Sequence, residues 1–366
     1  MDHRFGRAAP YALGVEEELL LVDAGTGELA HVSSGLVPEL DSPAGTLMHD
    51  VYEALVESAS PISRNAIDGT RTLEALRAEV RAKGGTPIGA GIHPAGPFGE
   101  APHVVSERYR EIGDQMRVLL RRTPTCALHI HVGMPDPETT IRACNRMRAE
   151  LPVLQALAAH SPYWHGIDSG FATARAQLFR GYPRADIPRA FAGWADYEAT
   201  MSAVVAAAGV ADYTFLWWDI RPHPKLGTLE VRAMDAQARL GSVCGLAALV
   251  HGLAIAAAEA TEDAEEIPRE VLVESSFRAG RDGLDATVWH DGALRPIRAL
   301  AAAAVDRARP GAVAVGAEAA LEEVERILCD GNGAQRMRAA HAEGGMARVV
   351  ERLVAESAEP LGVRSA

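Results

Sequence analysis

The sequence predicts an α+β fold, and three observations carry that reading. Strand-like and helix-like segments alternate irregularly with no internal repeat, three strand-like segments each offer one apolar and one ionisable side, and residues 240–366 read as mostly helical. With 366 residues and 48% hydrophobic content the chain can bury one large core or two moderate ones, so a disordered class does not fit.

In chain order, residues 12–22 read as a strand in which Glu16 and Glu18 face one way while Val15, Glu17 and Leu19 face the other. The segment HDVYEALVESAS (49–60) sets Glu53 and Glu57 four residues apart; a surface helix is the favoured reading, with one face of a strand as the alternative. Residues 69–85 predict a helix, because Leu73, Leu76 and Val80 share a face and Gly84 ends it. TPIGAGIHP (86–94) predicts a second strand. Residues 106–122 predict a helix capped by Ser106, with Tyr109, Ile112, Met116 and Leu119 on one stripe.

TCALHIHVG (125–133) predicts a third strand with His129 and His131 on one side and Leu128, Ile130 and Val132 on the other. Asp136, Pro137 and Glu138 supply a cap, a first-turn proline and an acid at the positive end of a long helix. Residues 161–193 are rich in Pro, Gly and Arg and read as loop, and loops of that length tend to be functional. Residues 213–235 read as strand, turn, strand, with Glu230 and Arg232 opposite Leu229, Val231 and Ala233.

Composition narrows the function. A net charge of −13 and a pI near 5.5 remove the usual driving force for nucleic-acid binding. The four cysteines form no C-x-x-C pair and read as reduced core thiols. No signal-peptide core opens the sequence and no apolar run reaches about 18 residues, so the expectation is a cytoplasmic protein with no membrane partner. The apolar stretch 246–260 carries His251 and reads as a buried helix. Neither Lys83 nor Lys225 follows a glycine, so there is no Walker A loop; GAGIHP lacks the last glycine of a dinucleotide fingerprint, and no G-x-S-x-G occurs.

The ionisable strand sides point to a cation. Glutamates two apart on a strand have Cα atoms about 7 Å apart and repel unless a positive charge lies beside them. Carboxylates with an imidazole favour Mg²⁺ or Mn²⁺ over zinc, and no H-E-x-x-H or thiolate cluster argues for zinc. Arg221 and Arg232, in neighbouring strands across a Pro/Gly turn, can converge on a carboxylate or phosphate.

Seven stretches, LGVEEELLLVD, HDVYEALVESAS, GAGIHPAGPF, ERYREI, HIHVGM, SPYWHGIDSGFATAR and WDIRPHPKLGTLEVRAMD, with DGNGAQRMR near the C-terminus, occur in the order and spacing of a known family. In these the chain resembles, over essentially its whole length, the carboxylate-amine ligases related to glutamate-cysteine ligases (the second, YbdK-like group). The resemblance implies one catalytic domain over 1–366 with a glutamine-synthetase-like fold, a curved antiparallel sheet backed by helices on its convex face. It implies ATP-dependent amide formation through an acyl phosphate, with L-glutamate as the typical donor and cysteine as the typical amine. The implied metal positions are Glu16, Glu18, Glu57 with Glu53 as the other candidate, His129 or His131, and Glu230, holding Mg²⁺ or alternatively Mn²⁺. Arg175, Arg221 and Arg232 are the implied phosphate or carboxylate holders, and Arg221, Arg232 and Lys225 the nucleotide contacts. Small-molecule substrates, an amino acid and an amine, are the implied partners, and a homodimer is expected from related proteins. SGFATARAQLF and MDAQARLGS depart from the family pattern around the second substrate's pocket, which leaves the amine open. The competing readings are a metal-dependent amidohydrolase and a non-catalytic ligand-binding relative.

Overall fold

The computed structural model describes residues 1–364 apart from 41, 100 and 262–265. Seven strands form the main sheet: β1 (Leu13–Leu21), β2 (Thr46–Met48), β3 (Leu55–Ala59), β4 (Pro87–Ile88), β5 (Ala127–Gly133), β6 (Ile220–His223) and β7 (Thr228–Asp235). They run antiparallel in the order β6-β7-β5-β1-β3-β2, with β4 pairing the end of β1 beyond β5. The α+β expectation is met.

Register follows from side-chain parity. Val15, Leu128, Ile130, Val132, Leu229 and Val231 are all buried and pack on helices α1 (Ala66–Ala82), α2 (Pro137–Met147) and α3 (Leu240–Glu259). A one-residue slip in any strand would turn that apolar set away from the helices, so burial fixes the register. Leu73, Leu76 and Val80 of α1 are buried as their spacing predicts, and Asp136 caps α2 by accepting from Thr139 N at 2.7 Å. Among the described residues α3 is the one helix long and apolar enough to cross a membrane, and 89% of its apolar window is buried inside the molecule. The tract 240–364 is mainly helical; 262–265, 365 and 366 lie outside the described residues.

Four local expectations change. Residues 55–59 form a strand, not a surface helix, because Leu55, Val56 and Ser58 are buried and pair with β1. In TPIGAGIHP only Pro87 and Ile88 pair as a strand; Gly89 and Gly91 then run hard against the backbone of Gln237 and the side chain of Asp235, where any Cβ would collide. The helix from Ser106 ends at Met116, since Arg117 adopts φ +53° before a separate turn over Val118–Arg121. Parity in β7 breaks at a bulge between Val231 and Met234, so Arg232 and Ala233 together oppose His129.

Glu17 answers why three glutamates stand in one strand. It points to the helix side, fully buried, where Arg77 Nε and Nη2 donate to its two oxygens at 2.9 and 2.6 Å. Arg77 also donates to the carbonyls of Gln237 and Ala238, tying β1, α1 and the start of α3 together. Removing one partner strands the other's charge in the core. Arg77→Met should therefore lower unfolding stability by about 3–5 kcal/mol, with part recovered in Glu17→Leu/Arg77→Met; urea denaturation measures both, and a loss below about 1 kcal/mol in the single variant contradicts the assignment.

Candidate active site

The opposite face of the sheet gathers ionisable groups from five strands. Register sets Glu16 beside His129, Glu18 beside Glu57, His131 beside Glu230, and Glu230 beside Arg221. Gly14 lies opposite His131 on this same face, and its missing side chain leaves room there. His131 Nε2 stands 3.4 Å from Glu16 and 3.8 Å from Glu230, while His129 stands 3.7 Å from Glu16 and 3.8 Å from Glu18. His131 Nδ1 is fixed by Thr228 Oγ1 at 3.0 Å. The Nε2 atoms of both rings are buried without a hydrogen-bond partner among the described residues.

Ligand atoms of Glu16, Glu57 and His129 lie within 4.8 Å of one another. Two carboxylates and an imidazole at that spacing, with orphaned ring nitrogens beside them, fit a hard divalent ion such as Mg²⁺ or Mn²⁺. Burial raises the pKa of Glu57 well above its ordinary value, and the charges of Glu16, Glu18 and Asp50 add to the effect. Glu18 is pushed up to about 8 by burial and by Asp50. Burial works the same way on Glu16, but His131 and His129 outweigh it and hold the carboxyl low. His129 is depressed to about 4 by burial and by Arg232.

Glu230 has a different local role. Burial opposes its charge, and Arg221 and Arg232 outweigh it. Arg221 Nε donates to one oxygen and Arg232 Nη1 to the other, both at 2.5 Å. Arg232 stays on Glu230's side of β7, ahead of the point where the bulge shifts the alternation, and its Nε is buried with no partner among the described residues. Glu230 thus anchors two guanidiniums that retain donors for an anion.

Two adjoining cavities open over this face. One, of about 290 Å³, lies over Glu16, Glu57, His131 and Arg221. The other, of about 110 Å³, reaches Arg175 and the rings of Phe179 and Tyr182. Glu18, Asp50, His129 and Arg232 line both, so they form the shared mouth.

Nine residues anticipated from the sequence therefore converge: Glu16, Glu18, Glu57, His129, His131, Glu230, Arg175, Arg221 and Arg232. Two do not. Glu53 precedes β3 and turns to Ser34, accepting from its backbone N at 2.9 Å, so it stands apart from Glu57. Lys225 sits exposed in the β6–β7 turn, paired with Asp212 at 2.5 Å. Asp50, Arg108, Trp217 and His223 also line the site without having been singled out. Strand parity could not reveal Asp50 or Arg108, which reach the face from a loop and a helix; His223 ends β6 on the same side as Arg221 and was legible by the alternation applied elsewhere.

Residues 12–352 match the sequence profile of glutamate-cysteine ligase family 2 (GCS2). The chain belongs to this family. It is 38% identical over 291 residues to the glutamate-cysteine ligase of Halobacterium salinarum, covering 75% of this chain and 80% of that one. It is also 38% identical over 344 residues to a Rubrobacter xylanophilus protein with a provisional glutamate-cysteine ligase 2 name, covering 92% and 91%. As a member of glutamate-cysteine ligase family 2 the chain is a ligase enzyme. Its fold is that of the solved glutamate-cysteine ligase of Francisella tularensis, crystallised with AMP (TM-score 0.69, 12% identity, 98% of this chain and 91% of that one). The bifunctional glutathione synthetase of Pasteurella multocida matches at a TM-score of 0.70 and 13% identity, with 95% of this chain spanning 52% of that one.

The crowded acids predict a stability that depends on pH and on divalent cations. Glu18 ionises near 4.5 when unfolded and near 8 when folded. Between those values the folded state binds the extra proton, so this group's contribution to stability falls as pH rises through that window. A divalent ion that binds the ionised cluster offsets the loss. Mn²⁺ or Mg²⁺ should raise the Tm more at pH 8 than at pH 6, and Glu57→Gln should remove most of that increment. A metal shift that is absent, or that shrinks as pH rises, contradicts the cation reading.

Proposed function

We propose that this family member is an ATP-dependent carboxylate-amine ligase whose single catalytic domain joins the γ-carboxylate of L-glutamate to cysteine or another amine through an acyl phosphate. The observation that carries the proposal is the convergence of Glu16, Glu57 and His129 beside Arg232, whose Nε is buried and unspent. The names of the Halobacterium and Rubrobacter relatives support glutamate as donor, and the AMP bound to the Francisella enzyme supports adenine nucleotide use.

The chemistry gives each group work. A carboxylate cannot expel oxide, so one of its oxygens first takes the γ-phosphoryl group of ATP while the bond to ADP breaks. The amine nitrogen then bonds to the acyl carbon, the bond to the phosphate oxygen breaks, and phosphate and the amine's proton leave. Phosphoryl transfer asks mainly for alignment and charge neutralisation. Mg²⁺ or Mn²⁺ held by Glu16, Glu57 and His129, with Glu18 and His131 alongside, would neutralise the triphosphate. Arg232 and Arg221 offer donors to the phosphoryl oxygens, and Glu230 fixes both guanidiniums before substrate arrives, which limits reorganisation during reaction. The low-lying pKa of Glu230 keeps that anchor charged.

The test uses purified protein with Mg²⁺, ATP, L-glutamate and a panel of amines. Amine-stimulated release of ADP and phosphate, with an amide of matching mass, is the expected result; cleavage of amides without nucleotide replaces the ligase reading by a hydrolase. Glu16→Gln and Glu230→Gln should each lower kcat by about 100-fold or more while the folded state persists by circular dichroism. Full turnover in either variant removes that residue from the machinery.

A further inference from the structure

The smaller cavity has the makings of a selective chamber. Arg175 lies at its end, 4% exposed, on a short helix over Ala174–Phe179. Its side chain makes no hydrogen bond among the described residues, and its Nε is buried without a partner. The nearest acid, Asp235, stands 3.7 Å away and is already engaged by Ser161 Oγ, Thr173 Oγ1 and the backbone N of His160. Phe179 holds the guanidinium from one side, its ring centre 5.3 Å from the arginine carbon. Asp235 balances the charge at ion-pair distance but leaves the guanidinium donors open, which is costly in a buried site, and the planar fork suits a carboxylate.

The walls are of another kind. Met116, Leu120, Phe179 and Trp217 supply apolar surface, and no lysine lies among the lining groups. Glu18 and Asp50 border the mouth shared with the larger cavity, beside His129 and Arg232. An α-amino acid matches this order of charge: carboxylate toward Arg175, ammonium toward the acids and the reacting centre, side chain along the apolar wall. A carboxylate due for phosphorylation belongs instead on the face that carries Glu16, Glu57 and Arg221.

Resting on the ligase reading, we propose that the amine acceptor is an α-amino acid with an uncharged apolar side chain, selected through Arg175 and the wall formed by Met116, Leu120, Phe179 and Trp217. Burying a charged side chain against that wall leaves it unpaired, whereas each added methylene that fits gains about threefold to fourfold. Cysteine is a small member of the class, and longer apolar side chains should surpass it.

The experiment compares alanine, cysteine, norvaline, norleucine, aspartate, lysine and pentylamine, the carboxylate-free counterpart of norleucine, as acceptors with ATP and L-glutamate. In wild type, kcat/KM should rise from alanine to norleucine and fall by about 100-fold or more for pentylamine. Arg175→Met should raise the KM for norleucine and erase its advantage over pentylamine, and Arg175→Lys should restore part of that advantage. A best acceptor with a charged side chain, or equal use of pentylamine and norleucine, overturns the chamber assignment. Calorimetric binding of norleucine to wild type and Arg175→Met separates the two readings. If no amine supports turnover, norleucine binding that is lost in the variant upholds the chamber while the ligase reading fails, and equal or absent binding in both proteins overturns the chamber.

Discussion

Carboxylates fixed at strand spacing on one side of an antiparallel sheet are the constraint from which the site follows. β1 holds Glu16 and Glu18 two residues apart, and β3 brings Glu57 directly across from Glu18, where paired residues have Cα atoms about 5 Å apart. The strands cannot relax to separate these charges, because their other face is locked into the core by Val15, Leu128, Ile130 and Val231. Compensation must come from the site itself. His131 and His129 supply it for Glu16 and Arg221 and Arg232 for Glu230, while Glu18 and Glu57 are left to hold a proton or a divalent ion.

The same strand shows two solutions to buried charge one residue apart. Glu17 is saturated by a dedicated arginine and made part of the scaffold, whereas on the other face Glu16 is held by imidazoles alone and Glu18 is left under-compensated. Glu17 and Glu230 are satisfied internally and Glu18 and Glu57 are not, while Arg175 and Arg232 each keep a buried Nε without a partner among the described residues. That contrast suits a site for a cation and for anions.

Where a site residue sits on a regular strand, alternation made it legible. Glu16, Glu18, His129, His131 and Glu230 all fall where parity places them. The apolar stripe of α1 was equally readable, because Leu73, Leu76 and Val80 repeat at helical spacing. Legibility stopped where tertiary contacts override local pattern. Glu53 and Glu57 suit a helix by spacing alone, yet pairing with β1 extends the chain and separates them. The bulge that shifts the alternation after Arg232 adds a residue without any glycine to signal it, and the break at Arg117 has neither glycine nor proline. Asp50 reaches the mouth of both cavities from a loop, a placement that only the assembled fold determines.

The most direct test of this account is to locate the ion. Crystals of the protein grown with Mn²⁺ and measured at the manganese absorption edge should give an anomalous peak within coordination distance of Glu16, Glu57 and His129, on the sheet face opposite Glu17. A strong peak elsewhere, or an empty site at saturating Mn²⁺ with those side chains ordered, would contradict the claim that these acids are gathered to hold a cation.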